Sequence, residues 1–262
     1  MTKTISLFLL AIVLLAPQTS SAELAQRGTT LLGIWTPDTV VIGVDSRETD
    51  VRNPGASREV CKVKEVNGVI FAVSGLPRYK PTGFDLMQSL TSVCSLNVNL
   101  FSLANVIVRE IRPQLDEVMS DLSKRLPVPT DAEKEALSIG ILLGGLANDA
   151  PALAAILFRI TSCTDCPNNY KIDTWIECYP PTPDAKGWKF IGLGHSDYAR
   201  AFAEKNQEFL QQKPIEAVQK LLDTQIKSAP TSAAGPVNVA SITRAGIHWI
   251  AQSQRCGEKS HE

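Results

Sequence analysis

The chain has 262 residues and carries 26 Lys+Arg against 27 Asp+Glu, which gives a formal net charge of −1. This balance excludes a polycationic nucleic-acid binder as the default interpretation, so no nucleic-acid partner is expected. Hydrophobic residues make up 44% of the chain and charged residues 20%, a composition typical of a folded protein. The length fits one large domain or two small ones.

Residues 1–22 have the pattern of an export signal. Lys3 supplies a positive charge, residues 7–16 form an apolar run, and residues 20–22 are small enough for a cleavage site. A membrane-spanning anchor would need about 20 apolar residues, whereas Pro17 ends the run too early. We therefore expect a signal peptide over residues 1–22, a mature protein that is secreted or periplasmic, and no membrane attachment once the signal is removed.

Residues 31–35 and 40–45 are short β-rich runs separated by a Thr-Pro-Asp turn, which predicts a hairpin directly after the N-terminal segment. Residues 60–66 and 69–73 form a second pair, joined by Asn67-Gly68, the strongest two-residue hairpin signal. Four strands thus precede the first predicted helix.

The middle of the chain changes period. A short helix is predicted over residues 84–93, and apolar residues recurring every three or four positions predict a long amphipathic helix over 103–126. Pro113 should kink this long helix or split it in two. Three further runs predict strands at residues 137–145, 152–160 and 170–179, the last with clear alternation.

Two helices are predicted near the C-terminus, over residues 196–211 and 214–227, with Pro214 in the first turn of the second. Residues 237–243 and 247–251 then form a closing strand pair. Because strands and helices are segregated along the chain, the sequence predicts an α+β fold with two stacked antiparallel sheets between two helical layers, a four-layer αββα sandwich.

An even number of cysteines in an exported chain favours disulfides. The six cysteines are Cys61, Cys94, Cys163, Cys166, Cys178 and Cys256. The close pair Cys163 and Cys166 has two other interpretations, half of a zinc site or a redox pair, which would need a second ligand pair or a thioredoxin-like setting. The cysteine pairing stays open. Neither a metal nor an organic cofactor is expected, because His195, His248 and His261 show no ligand spacing.

The N-terminal part of the mature chain carries the most informative motif. Residues 28–33 read GTTLLG and residues 38–47 read DTVVIGVDSR. Further segments are CKV at 61–63, AVSG at 72–75, LLGG at 142–145 with Pro151, and NVASITR at 238–244. In this order the segments resemble proteasome β-type subunits, which are N-terminal nucleophile hydrolases. The resemblance implies a single domain over residues 29–262, preceded by a short leader, residues 23–28, that is removed.

The same resemblance implies roles for four residues. Cleavage of the Gly28-Thr29 bond would make Thr29 both the nucleophile and, through its α-amine with a pKa near 8, its own general base. Lys62 would stay protonated beside Thr29, and Asp45 would fix the position of Lys62. The backbone N–H of Gly75 would point at the developing oxyanion. Without the resemblance, Thr29 is interpreted as an edge-strand residue and Lys62 as an exposed one.

The chain departs from the family pattern at three positions. His195 stands where the family has a serine, and Pro230 and Ala233 stand where it has the Asp and Ser that support the threonine amine. The residues that can substitute after a local shift in register are Ser196, Thr231 and Ser232. His195 is interpreted either as a replacement proton carrier or as a helix-start histidine without chemistry.

These patterns lead to three functional hypotheses. The first is an exported proteasome-like threonine-type hydrolase, an endopeptidase or amidohydrolase, that acts on a peptide or amide substrate through Thr29 and assembles as a homo-oligomeric ring. The second is a non-catalytic exported binding or assembly module that retains the fold, motivated by Pro230 and Ala233. The third is a small-amide amidase of the same superfamily, since a fold does not fix the substrate.

Overall fold

The computed structural model of the chain describes residues 26–27, 29–50, 57–125, 130–166, 169–180, 182 and 185–257. The predicted signal peptide and residues 23–25 and 28 of the predicted leader lie outside these ranges. Within the described ranges, no helix is both long and apolar enough to cross a membrane.

The described residues form strands and helices in an α+β arrangement. The strands are β1 (Gln26–Arg27), β2 (Thr30–Trp35), β3 (Val40–Asp45), β4 (Arg47–Asp50), β5 (Ser57–Glu59), β6 (Val63–Val66), β7 (Val69–Ser74), β8 (Arg78–Tyr79), β9 (Phe84–Asp85), β10 (Ile139–Ala147), β11 (Ala150–Ser162), β12 (Tyr170–Tyr179), β13 (Lys189–Gly194), β14 (Val237–Thr243) and β15 (Gly246–Ala251). The helices are α1 (Leu86–Cys94), α2 (Leu100–Arg125), α3 (Asp131–Leu137), α4 (Asp197–Lys205), α5 (Gln207–Gln212), α6 (Pro214–Ser228) and α7 (Gln254–Gly257), and Lys80–Thr82 form a 3-10 turn.

Two five-stranded antiparallel sheets organise the chain. Sheet I has the order β13-β2-β3-β14-β15, and sheet II has the order β12-β11-β10-β7-β6. A smaller three-stranded sheet has the order β1-β4-β5. Strand β2 is therefore an inner strand of sheet I, paired with β13 on one side and β3 on the other. This pairing fixes the position of Thr29, the residue that directly precedes β2.

Apolar side chains on both faces of the two sheets form three clusters. One cluster joins the facing sides of the sheets and contains Leu31 and Leu142. A second contains Phe158 of sheet II together with the apolar residues of α1 and α2. A third contains Leu32 of sheet I and Leu222 of α6. Neighbouring residues such as Leu31 and Leu32 belong to different clusters because successive side chains of a strand point to opposite faces.

Both predicted N-terminal hairpins are confirmed, although the strand predicted from residue 60 begins only at Val63. Strands β2 and β3 pair with Trp35 opposite Val40, and β6 and β7 pair with Val66 opposite Val69. The second turn is Asn67-Gly68, in which both residues have positive φ, as this hairpin type requires. The alternating strand predicted over 170–179 is also confirmed, as β12.

Of the two effects predicted for Pro113, a kink or a split of the long helix, the split is wrong, since α2 is one helix that contains the proline. Ile111 and Leu115, on either side of it, are buried in the cluster beneath the helix. Burial of a continuous apolar face contributes more to helix stability than local propensity does, so it offsets the missing N–H of one residue.

Three other differences concern short elements. Helix α3 occupies residues just before β10, where sequence analysis predicts only the start of a strand at 137. Strand β13 was not predicted, and the helix predicted over 196–211 is divided at Asn206 into α4 and α5. The turn between β10 and β11 is Asn148-Asp149, so β10 extends two residues beyond the predicted end at residue 145.

Four of the six cysteines form disulfides, Cys61 with Cys256 and Cys163 with Cys166. Cys94 and Cys178 are free thiols, and burial raises the pKa of the Cys94 thiol to about 12. The bonded pair in the β11–β12 turn supplies no zinc ligands. Across the described ranges, no group of three His, Cys, Asp or Glu side chains is placed to hold a metal ion.

Candidate active site

Thr29 lies directly before β2 and is only 6% exposed. Its carbonyl oxygen accepts a hydrogen bond of 3.0 Å from the His195 backbone N–H, and the Thr30 hydroxyl donates to the His195 carbonyl at 2.7 Å. Gly194 has φ 64°, and a Cβ there would lie 2.1 Å from the Thr29 carbonyl oxygen. A glycine is therefore needed at this position for β13 to hold Thr29 in place.

The Lys62 side chain reaches Thr29 from the segment before β6. Its Nζ lies 2.5 Å from the Thr29 hydroxyl oxygen and also contacts the carbonyl oxygen of Arg47. The Asp45 carboxylate lies 4.0 Å from the same Nζ. A buried ammonium that donates to a hydroxyl and a carbonyl oxygen and faces a carboxylate is held in position.

Asp45 ends β3 and is fully buried. One carboxylate oxygen accepts from the Thr30 N–H at 2.7 Å. The other accepts from the N–H groups of Arg47 and Ala234, both at 3.2 Å. These three backbone donors hold the carboxylate facing Lys62.

Burial has opposite effects on the two charged groups. Desolvation raises the pKa of Asp45, and Lys62 together with the three backbone N–H groups opposes this rise. Desolvation lowers the pKa of Lys62, and the carboxylates of Asp45 and Glu48 oppose this fall. Lys62 therefore gives up its proton more readily than an exposed lysine, at a point where its nearest hydroxyl is that of Thr29.

Gly75 follows β7 and has φ 89°, a backbone conformation that favours glycine. A Cβ at this position would lie 1.8 Å from the carbonyl oxygen of Ser138. The chain passes this close to the start of β10 because β7 and β10 are paired neighbours in sheet II. Gly75 thus has both a conformation and a packing reason to be glycine.

Two cavities meet at Thr29 and Gly75, which line both of them. The first, of about 530 Å³, continues past Glu135, Arg159 and His195. The second, of about 750 Å³, is lined by charged residues of both signs, including Glu48, Glu59, Lys62, Arg78 and Arg255. Each volume lies in the range of pockets that enclose small molecules or several side chains.

The residues before Thr29 run along the edge of the small sheet. In β1, Gln26 pairs with Asp50 and Arg27 pairs with Thr49 of β4, in an antiparallel register. Residues 26 and 27 therefore form an extended strand beside β4 that ends two positions before Thr29.

The three departures from the family pattern have defined surroundings. The His195 imidazole is 23% exposed, lines the first cavity, and has Nδ1 3.8 Å from the Glu135 carboxylate. The Pro230 carbonyl accepts from the Arg47 guanidinium at 2.7 Å. Ala233 is fully buried, and the next residue supplies the N–H that binds Asp45. The 230–234 loop therefore contacts the site through backbone atoms.

The three possible replacements, Ser196, Thr231 and Ser232, have surroundings of their own. The buried Ser196 hydroxyl oxygen accepts from the Arg200 guanidinium at 3.0 Å and lies 3.4 Å from the Gly194 carbonyl. Thr231 is exposed and Ser232 is partly buried. The structure brings Thr29, Asp45, Lys62 and Gly75 together, and gives Ser196 a partner on α4 instead.

Sequence analysis missed two contributors to the site. Glu48 is a buried carboxylate, paired with Arg58, that lines the second cavity. The second contributor is the Arg47 carbonyl oxygen, which contacts Lys62. Glu48 directly follows the DTVVIGVDSR motif, and this position was the signal that could have identified it. A contact through a backbone carbonyl, such as that of Arg47, leaves no signal in the sequence.

Comparison with known proteins adds no relative. A scan against protein-family models finds no match to this chain, and a search of curated proteins also finds none. Any assignment of function must therefore be argued from the residues and their geometry.

Proposed function

We propose that this chain is an exported, proteasome-like threonine-type hydrolase that cuts peptide or amide bonds through Thr29. One observation carries the proposal: the Lys62 Nζ lies 2.5 Å from the Thr29 hydroxyl oxygen in a buried site beside Asp45. Burying a charged side chain against a hydroxyl is costly, and functional sites are where such costs concentrate. The two cavities that meet at Thr29 supply room for a substrate.

The wider assignment has separate support. The three apolar clusters support the four-layer αββα arrangement that proteasome β-type subunits share. The signal pattern at residues 1–22 and the two disulfides support export to an oxidising compartment. A homo-oligomeric ring follows from the resemblance alone, and light scattering on the mature protein tests it, because a monomer contradicts a ring.

The first reaction in this proposal removes the leader. Before the Gly28-Thr29 bond is cut, the nitrogen of Thr29 is an amide and cannot act as a base. Lys62 is the group placed to accept the hydroxyl proton, and burial makes its neutral form more accessible. The Thr29 oxygen then attacks the Gly28 carbonyl carbon, and Lys62 returns the proton to the Thr29 nitrogen as the carbon–nitrogen bond breaks. Water hydrolyses the resulting ester and leaves Thr29 with a free α-amine.

Turnover of a substrate uses a different base. The freed α-amine of Thr29 has a reference pKa of about 8, so it accepts the hydroxyl proton near neutral pH. Protonated Lys62, held by Asp45, lowers the free energy of the developing alkoxide. The Gly75 N–H stabilises the oxyanion, and the α-ammonium of Thr29 gives its proton to the leaving amine as the carbon–nitrogen bond breaks. Water then hydrolyses the acyl-enzyme ester.

A second candidate function is a non-catalytic exported binding or assembly module. The observation that favours it is that Pro230 and the buried Ala233 stand where the family has the Asp and Ser that support a threonine amine. On this hypothesis, Lys62 and Asp45 are retained as a packed ion pair.

The mature N-terminus separates these functions. For wild type, protein sequencing and intact mass should show a start at Thr29, whereas Thr29→Ala should keep residues 23–28 and lose hydrolysis of a fluorogenic peptide. Thr29→Ser keeps a hydroxyl at the same place and should retain both reactions at a lower rate. Active protein that begins at residue 23, or hydrolysis that persists in Thr29→Ala, contradicts the proposal.

A further inference from the structure

The chain after β15 returns to the catalytic lysine. Cys256 of α7 is bonded to Cys61, which is 195 residues earlier and directly precedes Lys62. One residue before Cys256, the Arg255 guanidinium donates to the Glu59 carbonyl oxygen at 2.5 Å. A covalent bond and a charged hydrogen bond thus hold residues 252–257 against residues 59–61, which directly precede Lys62. Residues 252–257 are here named the C-terminal segment.

The same segment is also tied to the residue beside Asp45. The Ser253 N–H donates to the Asn238 side-chain oxygen at 2.8 Å, in a buried position. The Asn238 amide in turn donates to the Ser46 hydroxyl oxygen at 3.1 Å, and Ser46 directly follows Asp45. The C-terminal segment therefore connects the backbone neighbours of both members of the buried pair.

The backbone around Lys62 has little regular structure of its own. Residues 60–62 lie between β5 and β6 and belong to neither strand. Two backbone hydrogen bonds hold their ends, from the Val60 N–H to the Ser46 carbonyl and from the Val73 N–H to the Lys62 carbonyl. The disulfide at Cys61 lies between these two bonds, so it adds a third restraint within this short loop.

The segment also forms part of the cavity at Thr29. Gln254 and Arg255 line the cavity of about 750 Å³ together with Cys61 and Lys62. Movement of the C-terminal segment would therefore change the shape of the substrate space as well as the position of the lysine.

We propose that the Cys61–Cys256 disulfide is a positioning element for Lys62, and that its reduction by a dithiol switches the hydrolase off. This inference rests on the proposed function. The dithiol delivers two electrons and two protons, Cys61 and Cys256 become thiols, and the dithiol is oxidised to its own disulfide. Because cytosolic thiols are kept reduced, the chain would acquire full activity only after export.

The test compares two disulfide variants at equal protein concentration. Cys61→Ser/Cys256→Ser should lower kcat on a fluorogenic peptide by about 10- to 100-fold, since displacement of a reacting group by about 1 Å costs about 100-fold. KM should also change because the cavity loses a fixed wall. The control Cys163→Ser/Cys166→Ser, whose bond lies in the β11–β12 turn outside the described lining of both cavities, should stay within twofold of wild type.

Wild type treated with dithiothreitol should lose the same activity as the first variant and recover it on reoxidation. Near-UV circular dichroism tests whether each sample is folded. If the double serine variant does not fold, the reduced wild type takes its place. Arg255→Ala, which removes the hydrogen bond to Glu59 and keeps the disulfide, should also lower kcat. Unchanged kcat in folded protein without the Cys61–Cys256 bond overturns the inference.

A readout independent of hydrolysis separates this inference from the proposed function. NMR of ¹⁵N-labelled lysine side chains reports the pKa of Lys62, assigned by comparison with Lys62→Arg. Opening the bond should raise this pKa towards its ordinary value, because the loosened loop admits water, whereas the control variant should not move it. A wild type without hydrolysis contradicts the proposed function, and an unmoved Lys62 pKa contradicts the positioning role.

Discussion

Replacing Gly75 by alanine tests the oxyanion side of the proposed mechanism. Gly75 has φ 89°, and the added Cβ would lie 1.8 Å from the Ser138 carbonyl oxygen. Real Cβ atoms keep at least 3.0 Å from other heavy atoms, so the two backbones must separate by about 1.2 Å (3.0 − 1.8). Because Ser138 and Gly75 both line the cavity at Thr29, this movement occurs at the reaction centre.

Two energetic costs follow from this geometry. The left-handed conformation costs an alanine about 1–2 kcal/mol, and overpacking adds about 1–3 kcal/mol. The free energy of unfolding should therefore fall by about 2–5 kcal/mol. Removal of one oxyanion donor from its place lowers kcat by about 100- to 1000-fold, so Gly75→Ala should lose activity well beyond its loss of stability.

Gly83→Ala is the matched control. Gly83 has φ 73°, and a Cβ there would meet no atom within 4 Å. It should show the conformational cost of about 1–2 kcal/mol without the overpacking cost, and an unchanged kcat. Urea unfolding gives the stabilities, and initial rates on a fluorogenic peptide, corrected for the folded fraction, give kcat. A Gly75→Ala protein that is destabilised but keeps kcat within twofold refutes the oxyanion role.

Three further predictions concern the buried pair and the core. Peptide turnover should slow as the pH rises through the pKa of Lys62, which burial lowers below the ordinary lysine value of 10.5. Leader removal needs neutral Lys62 under the proposed mechanism, so its rate should rise over the same pH range. Rate measurements that give parallel pH profiles for the two reactions contradict these roles. Asp45→Asn removes the carboxylate that supports protonated Lys62, so the loss of turnover at alkaline pH should begin at a lower pH. It should also lower the free energy of unfolding in urea by about 3–5 kcal/mol, because it leaves a buried charge uncompensated. An alkaline pH dependence that does not shift contradicts the pairing. Leu142→Ala, at a fully buried position between the sheets, should lower the free energy of unfolding by about 2–5 kcal/mol. Leu146→Ala, which is 37% exposed on the same strand, should lower it by about 0.5 kcal/mol or less. Equal losses of stability contradict the sheet packing.

Local sequence signals predicted the elements whose information is itself local. The Asn67-Gly68 turn sets the register of β6 and β7, because both residues must adopt positive φ and few other residue pairs do so easily. The alternation in β12 likewise identifies its strand from ten consecutive residues. In both cases a few neighbouring residues determine the backbone conformation.

Short elements stabilised by distant contacts were not predicted. Strand β13 reads KFIGLG, and its two glycines weaken a strand signal, yet it pairs along its whole length with β2. Helix α3 has a capping box between Thr130 and Glu133, a signal that the sequence does contain, but its seven residues are too few to show a helical period. Tertiary pairing decides such segments.

The same limit applies to the site. Family resemblance named Thr29, Asp45, Lys62 and Gly75, but the approach of Lys62 to a hydroxyl 33 positions away depends on how two sheets pack. The disulfide joins Cys61 to Cys256 across 195 positions. The sequence alone therefore does not show that the residue before Lys62 is bonded to the C-terminal segment.

The way in which Asp45 is held bears on how this site can change during evolution. Its backbone donors are the N–H groups of Thr30, Arg47 and Ala234, which every amino acid except proline carries. Mutations that alter the side chains at these positions leave the donors in place as long as the loop keeps its path. The charge arrangement around Lys62 can therefore persist while the surrounding sequence drifts beyond the reach of motif comparison, and proline at position 234 is a substitution that such drift cannot accept.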